Sequence, residues 1–271
     1  RLITGDGKFL SDMVLPGMLH AVFVRSEYAH ARINSIDKSK AEATPGVVAV
    51  YTGADTIDAF KSLDQPVLIP NLPGHFPKYH ALATGKVRYH GEPLALVVAR
   101  DKYIAEDAAE LVEVDYEELP VILDAEAALE DGAPLVHDDA KDNEIFAMTF
   151  TGGETPEEQA TNDVEVEKIF AEADVVVSER FKVHRTGVTP LEPRGVLCEW
   201  NDSDGLTAYI TTQRPHIDRL ALVDVLELPA EKVRVIAPRD MGGGFGIKAP
   251  FYRENIILAH AAKDLRRPVR W

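Results

Sequence analysis

The sequence predicts an α+β fold arranged as two domains joined by an acidic linker. Short apolar strands and short helical stretches follow one another from residue 1 to 118, a spacing typical of a compact α/β unit. Residues 119–161 then carry acidic residues, prolines and glycine turn signals, as linkers do. Strands, helices and a glycine-rich turn resume after this stretch. The predicted segments are therefore 1–118, 119–161 and 162–271.

In the first segment, alternation of apolar and polar residues predicts the regular elements. Strands are predicted at 19–26, 29–33, 47–51, 94–99 and 112–116. Helices are predicted at 38–44, ended by Pro45-Gly46, and at 103–110, with Ile104, Ala108 and Leu111 on one face. No catalytic constellation stands out in this segment, which favours a role in scaffolding and subunit contact.

A long loop is expected between residues 63 and 89, because its four prolines cannot donate the hydrogen bonds of a strand ladder. His75 and His80 lie in this loop. Neither has a third ligand at a suitable spacing, which favours surface histidines over a metal site.

The last segment is predicted to contain a mixture of strands and helices. Strands are expected at 175–184, 195–200, 206–212 and 232–237, and helices at 163–173, 215–226 and 253–264. The alternation in the first of these strands predicts four buried side chains, Val175, Val177, Phe181 and Val183. Helix 215–226 is predicted to group Ile217, Leu220 and Ala221, with Asp224 at the edge. A new strand has barely begun at 268–271, which predicts that the chain is cut inside a domain.

Composition restricts the class of protein. The formal net charge of −16 argues against general affinity for nucleic acid or an anionic membrane, since binding either depends on basic patches. No apolar run approaches the roughly 18 residues that cross a bilayer. We expect no membrane span and a cytoplasmic location. The chain contains one cysteine, Cys198, which a strand-like context predicts to be a small buried residue rather than a thiol nucleophile.

The residues 239–248 form the most unusual stretch, with four glycines in five positions at 242–246. Such a cluster implies positive φ angles or the close approach of another molecule to the backbone. Free amides between a strand and a helix suit an anionic group, and a tight turn for close packing is the simpler alternative. The spacing fits neither the G-x-G-x-x-G dinucleotide fingerprint nor a P-loop.

Four ordered motifs resemble one known family. The run from Gly242 to Lys248 resembles the first molybdopterin-binding loop of the xanthine dehydrogenase and aldehyde oxidase family of molybdenum hydroxylases. The resemblance is strongest to the large subunits of the aerobic carbon monoxide dehydrogenase branch. The other matching stretches are Leu2–Gly5 with Gly17–Ala21 and Arg25-Ser26, then Leu191–Gly195, then Thr211–Gln213. The resemblance covers the whole chain. It implies an α/β hammerhead domain at 1–118 and the N-terminal part of a molybdopterin-binding domain at 162–271, with mixed sheets and packed helices.

The resemblance also implies site residues. The side-chain amide of Gln213 is expected to approach an oxygen ligand of molybdenum, and the alternative is that Gln213 caps the helix opened by Pro215. Phe245 and Gly246 are expected beside the metal and its pterin, with Phe245 forming a wall of the substrate channel. Gly243 and Gly244 would let the backbone reach the cofactor. The resemblance implies no direct metal ligand in these 271 residues, and it places the general-base glutamate beyond Trp271.

Four further residues lie in or beside these motifs. Glu192 and Arg194 suggest a carboxylate–guanidinium unit that supports the site. Lys248 either compensates phosphate charge or is a solvated lysine at a helix start. Ala249 stands where the xanthine-oxidising branch has glutamate, which argues against xanthine as the substrate.

The implied activity is molybdenum-dependent hydroxylation of an aldehyde, an N-heterocycle or carbon monoxide, with water as the oxygen source. The implied cofactor is molybdenum–molybdopterin in its cytosine dinucleotide form. Implied partners are an iron–sulfur small subunit, an FAD medium subunit and the C-terminal half of the large subunit, and this chain alone is expected to be inactive. The alternative is a non-catalytic scaffold or assembly module of the same fold. A phosphate-binding enzyme is disfavoured by the motif spacing.

Overall fold

Two β-sheets organise the protein, which is represented by a computed structural model describing residues 1–62, 74–147, 155–184 and 186–271. The strands are β1 Leu19–Arg25, β2 Ala31–Asp37, β3 Val47–Thr52, β4 Lys86–Val87, β5 Pro93–Ala99, β6 Glu113–Glu118, β7 Val196–Asn201, β8 Gly205–Ile210, β9 Val233–Ile236 and β10 Val269–Arg270. Within the described residues, the larger sheet has the order β3-β5-β1-β10-β7-β8-β9 and the smaller one β4-β2-β6.

The short strand β10 joins the two halves of the larger sheet. Val269 pairs with Leu19 of β1 in parallel and with Cys198 of β7 in antiparallel register. All three side chains are fully buried. The sheet is therefore mixed, and strands from the first and last predicted segments share one continuous hydrogen-bonded layer.

The α-helices cover this sheet and connect its strands. They are α1 Ser39–Glu42, α2 Gly53–Thr56, α3 Lys102–Ala109, α4 Pro156–Glu172, α5 Pro215–Val225 and α6 Arg253–Leu265, with 3₁₀ turns at Leu2–Thr4, Leu10–Asp12, Ala127–Leu129 and Ala230–Lys232. Helix α5 makes the crossover between the parallel strands β8 and β9. Helix α6 buries Ile256, Ile257 and Leu258 completely, and each such burial contributes about 1.5–3 kcal/mol.

Most predicted elements of the first segment are confirmed within one or two residues, although α1 is shorter than expected and β2 extends further. On α3 the buried residues are Ala105 and Ala108, whereas Leu111 lies beyond the helix and is 40% exposed. Residues 63–73 of the predicted proline-rich loop lie outside the described residues. The turn signals at 151–153 also lie outside them.

The strand predicted at 175–184 is wrong. The structure has no strand there, and Val175, Phe181 and Val183 are 77%, 88% and 92% exposed. Alternation supplies a face to bury, but a strand also needs a neighbour for its backbone groups. No described strand pairs with this stretch.

Two helices differ from prediction in extent or face. Helix α4 begins at Pro156 rather than at 163, because the Thr155 hydroxyl accepts from Glu158 N–H at 3.2 Å in a capping box. The sequence-based prediction did not include this capping box. Helix α5 has the predicted length but buries a rotated set of residues, Asp218, Ala221, Leu222 and Val225, and Leu220 is exposed. The division into 1–118, 119–161 and 162–271 stays a prediction.

Candidate functional site

The glycine-rich turn lies between β9 and α6, as predicted. Gly243 and Gly246 have φ angles of 98° and 89°, where a side chain would be strained. Phe245 also has a positive φ of 48°, which is uncommon for a bulky residue and typical of binding sites. Phe245 is 73% exposed. Its ring lies so close to Gly243 that a side chain on Gly243 would collide with it.

Two other glycines are required by close packing. A methyl group at Gly244 would lie 2.7 Å from Gln213 Cδ, and one at Gly242 would lie 2.5 Å from Glu192 Cβ. Real Cβ atoms do not approach heavy atoms so closely. The turn is therefore seated directly on Gln213 and Glu192, which belong to two of the other motifs identified in the sequence.

Gln213 is hydrogen-bonded to the turn at both its backbone and its side chain. Its backbone N–H donates to Lys248 O at 2.9 Å, and its Oε1 accepts from Gly246 N–H at 2.9 Å. Because Oε1 is the acceptor, Nε2 is the free donor of the amide, and it has no partner among the described residues. Gln213 does not cap α5, since the N-cap residue is Arg214 and no side chain caps the helix.

The turn also presents backbone donors. Among the residues that the structure describes, the N–H groups of Gly243, Gly244 and Phe245 make no hydrogen bond. Successive unpaired amides at a glycine turn form a concave site for oxygen atoms of an anionic group. Together with the Gln213 Nε2 donor, this arrangement fits a group that carries acceptor oxygens, such as the phosphate of the molybdopterin that the sequence resemblance implies.

Lys248 is buried and paired, which corrects the expectation of a solvated lysine. Its side chain is fully buried, and Nζ lies 2.8 Å from Glu192 Oε2. The same carboxylate oxygen accepts from Gly242 N–H at 2.8 Å, and Glu192 N–H donates to Gly242 O at 3.2 Å. Glu192 therefore holds the beginning and the end of the glycine turn.

Arg194 does not pair with Glu192, so the predicted carboxylate–guanidinium unit is wrong. It donates instead to Glu254 Oε1 at 3.1 Å, and its guanidinium carbon lies 3.7 Å from the centre of the Tyr252 ring. Burial acts to raise the pKa of Glu254, but the hydrogen bonds and charges of Arg194 and Arg25 outweigh it and lower that pKa. The residues on either side of Pro193 therefore form two separate ion pairs, Glu192 with Lys248 and Arg194 with Glu254. The first supports the turn and the second supports the start of α6.

Asp218, in the first turn of α5, is a buried acid that the sequence did not reveal. Its side chain is 1% exposed, and Oδ1 has no hydrogen-bond partner in the described part of the chain. Burial raises the pKa of Asp218 to about 6, opposed by a hydrogen bond from Thr212 and the charge of Arg214. An acidic residue in the first turn of an amphipathic helix is ordinarily exposed, so no sequence signal marked it.

The N-terminal segment is attached to the turn through Asp240. The Asp240 carboxylate accepts from the Arg1 guanidinium at 2.6 Å and from Lys8 N–H at 2.7 Å. These contacts lower the pKa of Asp240, the Arg1 hydrogen bond having the largest effect. The N-terminal segment around the first motif therefore meets the stretch 239–248, which is distant in sequence.

The remaining candidate residues have plain structural positions. Cys198 is fully buried in β7, as predicted, and burial raises the pKa of its thiol. In the described residues, no cluster of three or more His, Cys, Asp or Glu side chains is placed to hold a metal ion. His75 is exposed and His80 is partly buried. No described helix is long and apolar enough to cross a membrane.

Comparison with known proteins identifies the class. Residues 4–120 match the a/b hammerhead domain of aldehyde oxidase and xanthine dehydrogenase, and residues 136–271 match the molybdopterin cofactor-binding domain. The chain belongs to the aldehyde oxidase and xanthine dehydrogenase family of molybdopterin-binding proteins. The predicted family and fold class are confirmed.

The relatives include a dehydrogenase, a hydroxylase and an oxidoreductase. The chain is 41% identical to the carbon monoxide dehydrogenase large chain of Afipia carboxidovorans, matching over 100% of this chain and 33% of that protein. It is 35% identical to the nicotine 6-hydroxylase large subunit of Paenarthrobacter nicotinovorans, over 100% of this chain and 32% of the relative. Quinoline 2-oxidoreductase from Pseudomonas putida 86 superposes with a TM-score of 0.85 at 35% identity, covering 100% of this chain and 33% of that structure. The chain thus spans about a third of the length of these relatives.

Proposed function

We propose that the chain is the N-terminal part of the large subunit of a molybdenum hydroxylase. In this proposal Gln213 and the turn residues Gly243, Gly244, Phe245 and Gly246 contact the molybdopterin cofactor. The observation that carries it is the Gln213 Oε1 to Gly246 N–H hydrogen bond, which orients the free Nε2 donor beside a turn with unpaired amides. Bound molybdopterin would supply the redox chemistry of hydroxylation with water as the oxygen source.

The protein residues provide position and hydrogen bonds. Gln213 Nε2 would donate to an oxygen of the cofactor without adding negative charge. The exposed ring of Phe245 would cover one side of the substrate channel. Lys248 is already neutralised by Glu192, so its role in this proposal is to hold the turn rather than to compensate a phosphate.

The substrate is proposed as a class. The named relatives act on carbon monoxide and nicotine, and their identities to this chain, 41% and 35%, differ too little to choose between them. Ala249 is small, and its carbonyl accepts from Arg214 Nε at 2.9 Å. A carboxylate that contacts a purine is absent at this position, which supports an aldehyde, an N-heterocycle or carbon monoxide over xanthine.

The complete assembly is part of the proposal. The rest of the large subunit, proposed to lie on the C-terminal side of this chain, which spans only about a third of its relatives, would supply the general-base glutamate and the other cofactor loops. The iron–sulfur small subunit and the FAD medium subunit would carry electrons away, and the cofactor would have the cytosine dinucleotide form. We place the complex in the cytoplasm. A non-catalytic scaffold of the same fold is the alternative.

Metal analysis of the native complex separates these functions. Inductively coupled plasma mass spectrometry would measure molybdenum in the complex purified from its native host and in the isolated 271-residue chain. We expect molybdenum with molybdopterin in the complex and none in the isolated chain. Absence of molybdenum from the native complex would contradict the enzyme proposal and leave the scaffold.

A further inference from the structure

A polar cavity lies away from the glycine turn, between the start of α6 and the loops around β4. Its volume is about 170 Å³, roughly ten times what one water molecule requires. We call it the Arg88–Arg253 cavity. Its charged and histidine lining residues are Lys78, His80, Arg88, Glu92, His137, Asp139 and Arg253. Neither Gln213 nor Gly242–Gly246 lines it.

Three buried nitrogens that line this cavity have no hydrogen-bond partner among the described residues. They are Arg88 Nε, Arg253 Nε and His80 Nδ1. Arg253 is only 4% exposed, and a guanidinium N–H can donate but never accept. A buried donor without an acceptor is destabilising, by about 1–3 kcal/mol. Two arginine side chains with unpaired donors therefore line one cavity, and a ligand that carries acceptor oxygens is the group that arginine side chains bind.

The charges around the cavity favour an anion. Glu92 is already engaged, since Oε1 lies 2.7 Å from Arg253 Nη1 and Oε2 accepts from Arg88 N–H at 2.6 Å. The other acid in the lining, Asp139, is exposed to solvent. The lining therefore carries one more positive charge than negative charges, since the cations of Lys78, Arg88 and Arg253 face two carboxylates.

The pKa values of the two histidines that line the cavity are lowered, in part by nearby positive charges. Burial, together with the charges of Lys78, Arg88 and Arg253, lowers the pKa of His80. Burial lowers the pKa of His137 to about 4, the charges of Arg88 and Lys86 act in the same direction, and the charge of Asp139 opposes them. Both imidazoles therefore lie in a positive environment that an anion would neutralise.

The arginine at the base of the cavity is held in place before any ligand binds. The Arg253 guanidinium carbon lies 3.5 Å from the centre of the Tyr79 ring and 5.6 Å from that of Tyr89. Stacking on Tyr79 and the ion pair with Glu92 fix the guanidinium plane. Preorganised donors lose less entropy on binding.

We propose that the Arg88–Arg253 cavity binds a tetrahedral oxyanion, either free phosphate or sulfate or the phosphate group of a larger ligand. The donors come from three directions, the loop before β4, the β4–β5 connection and α6. A tetrahedral anion offers oxygens in several directions at once, whereas a carboxylate offers two in one plane. This site is independent of the molybdopterin proposal.

Isothermal titration calorimetry on the full-length protein tests the site. Inorganic phosphate and sulfate are titrated at constant ionic strength into the native chain, into Arg88→Gln and into Arg234→Gln. Arg234 is an exposed arginine of β9 and serves as the matched control. We expect one-to-one binding whose Kd rises about tenfold or more in Arg88→Gln and is unchanged in Arg234→Gln. His80→Gln, with folding checked by circular dichroism, serves as a second variant and should also raise Kd.

The source of the anion follows from a second titration with cytidine and adenosine monophosphates. Binding of a nucleotide more tightly than inorganic phosphate assigns the cavity to the phosphate group of a larger ligand, and equal or weaker binding assigns it to the free ion. Absence of binding heat for every one of these anions would overturn the proposal. A Kd that is unaffected by both Arg88→Gln and His80→Gln would do the same.

A pH series with sulfate adds a readout that a merely structural role would not change. The charged and titratable groups facing the cavity are Lys78, His80, Arg88, Glu92, His137, Asp139 and Arg253, with His75 and Lys86 nearby. A bound anion raises the pKa of both imidazoles, so binding takes up protons and strengthens as the pH falls from 7 to 5. Binding of sulfate that does not depend on pH would contradict the assignment of His80 and His137 to the site.

Discussion

Lys248 Nζ and Glu192 Oε2 are 2.8 Å apart although 56 residues separate them in the chain. The lysine is fully buried, and the same oxygen receives Gly242 N–H. Removing one partner from such a pair leaves a buried charge without compensation. This ion pair therefore holds two sequence motifs together and fixes the position of the glycine turn between them.

Replacing Lys248 by methionine is expected to loosen the turn. We expect the free energy of opening of the turn to fall by about 3 kcal/mol, which corresponds to roughly hundredfold faster exchange of the Gly242 amide. Hydrogen exchange followed by mass spectrometry measures this change, with amides of β5 as an internal reference. Lys168→Met removes a lysine that is 69% exposed and is expected to change exchange very little. Equal exchange at Gly242 in the native chain and in Lys248→Met would contradict the role of the pair.

The buried acid Asp218 predicts a pH-dependent stability. Its pKa is raised from 3.8 to about 6, so the folded protein binds the proton more tightly than the unfolded chain does. The stability that this proton contributes is present below pH 3.8 and is lost as the pH rises through 6. Asp218→Asn is therefore expected to stabilise the protein on the order of 2 kcal/mol at pH 7.5 and to have little effect at pH 4.

Urea denaturation at the two pH values measures this difference. Asp224→Asn changes an exposed aspartate of the same helix and is the matched control, with an expected change below about 0.5 kcal/mol. Destabilisation by Asp218→Asn at pH 7.5 would show that the ionised carboxylate makes a favourable interaction instead.

Local patterns in the sequence were sufficient to predict the elements that pair with segments close to them in the chain. The strands around 201–205 and the helix opened by Pro215 were predicted because a turn and a proline mark their ends. The glycine turn and Gln213 were predicted as site residues from a resemblance, and the structure brings them into contact. Their role in binding the cofactor stays a prediction.

The errors concern features that depend on distant partners. Lys248 and Arg194 appear polar and ordinary in sequence, and only the fold brings Glu192 and Glu254 beside them. The burial of Asp218 depends on the exact rotation of α5. The stretch 175–184 has the alternation of a strand, but pairing is a property of two segments and cannot be judged from one.

Gly244→Ala is expected to displace Gln213. The added methyl group would lie 2.7–2.8 Å from three side-chain atoms of Gln213, so one of the two residues must move. We expect the full-length protein to keep its secondary structure and to lose at least about tenfold in molybdenum content. Gly187→Ala is the matched control, since nothing lies within 4 Å of its added methyl group. Full molybdenum occupancy of Gly244→Ala would show that the turn tolerates a different geometry.

Two substitutions of Gln213 separate its two hydrogen-bonding roles. Glutamate keeps an oxygen that accepts from Gly246 N–H at 2.9 Å, but it cannot donate as Nε2 does and it adds a negative charge. Alanine removes both functions. If Gln213 donates to the cofactor, both variants of the full-length enzyme should lose about 10²–10³-fold in kcat. If Gln213 only positions the turn, Gln213→Glu should retain most activity while Gln213→Ala loses it.

Because the side chain of Gln213 is exposed, both variants are expected to fold, and circular dichroism verifies this. Comparison of kcat with molybdenum content in the two variants then assigns the loss to chemistry or to cofactor binding.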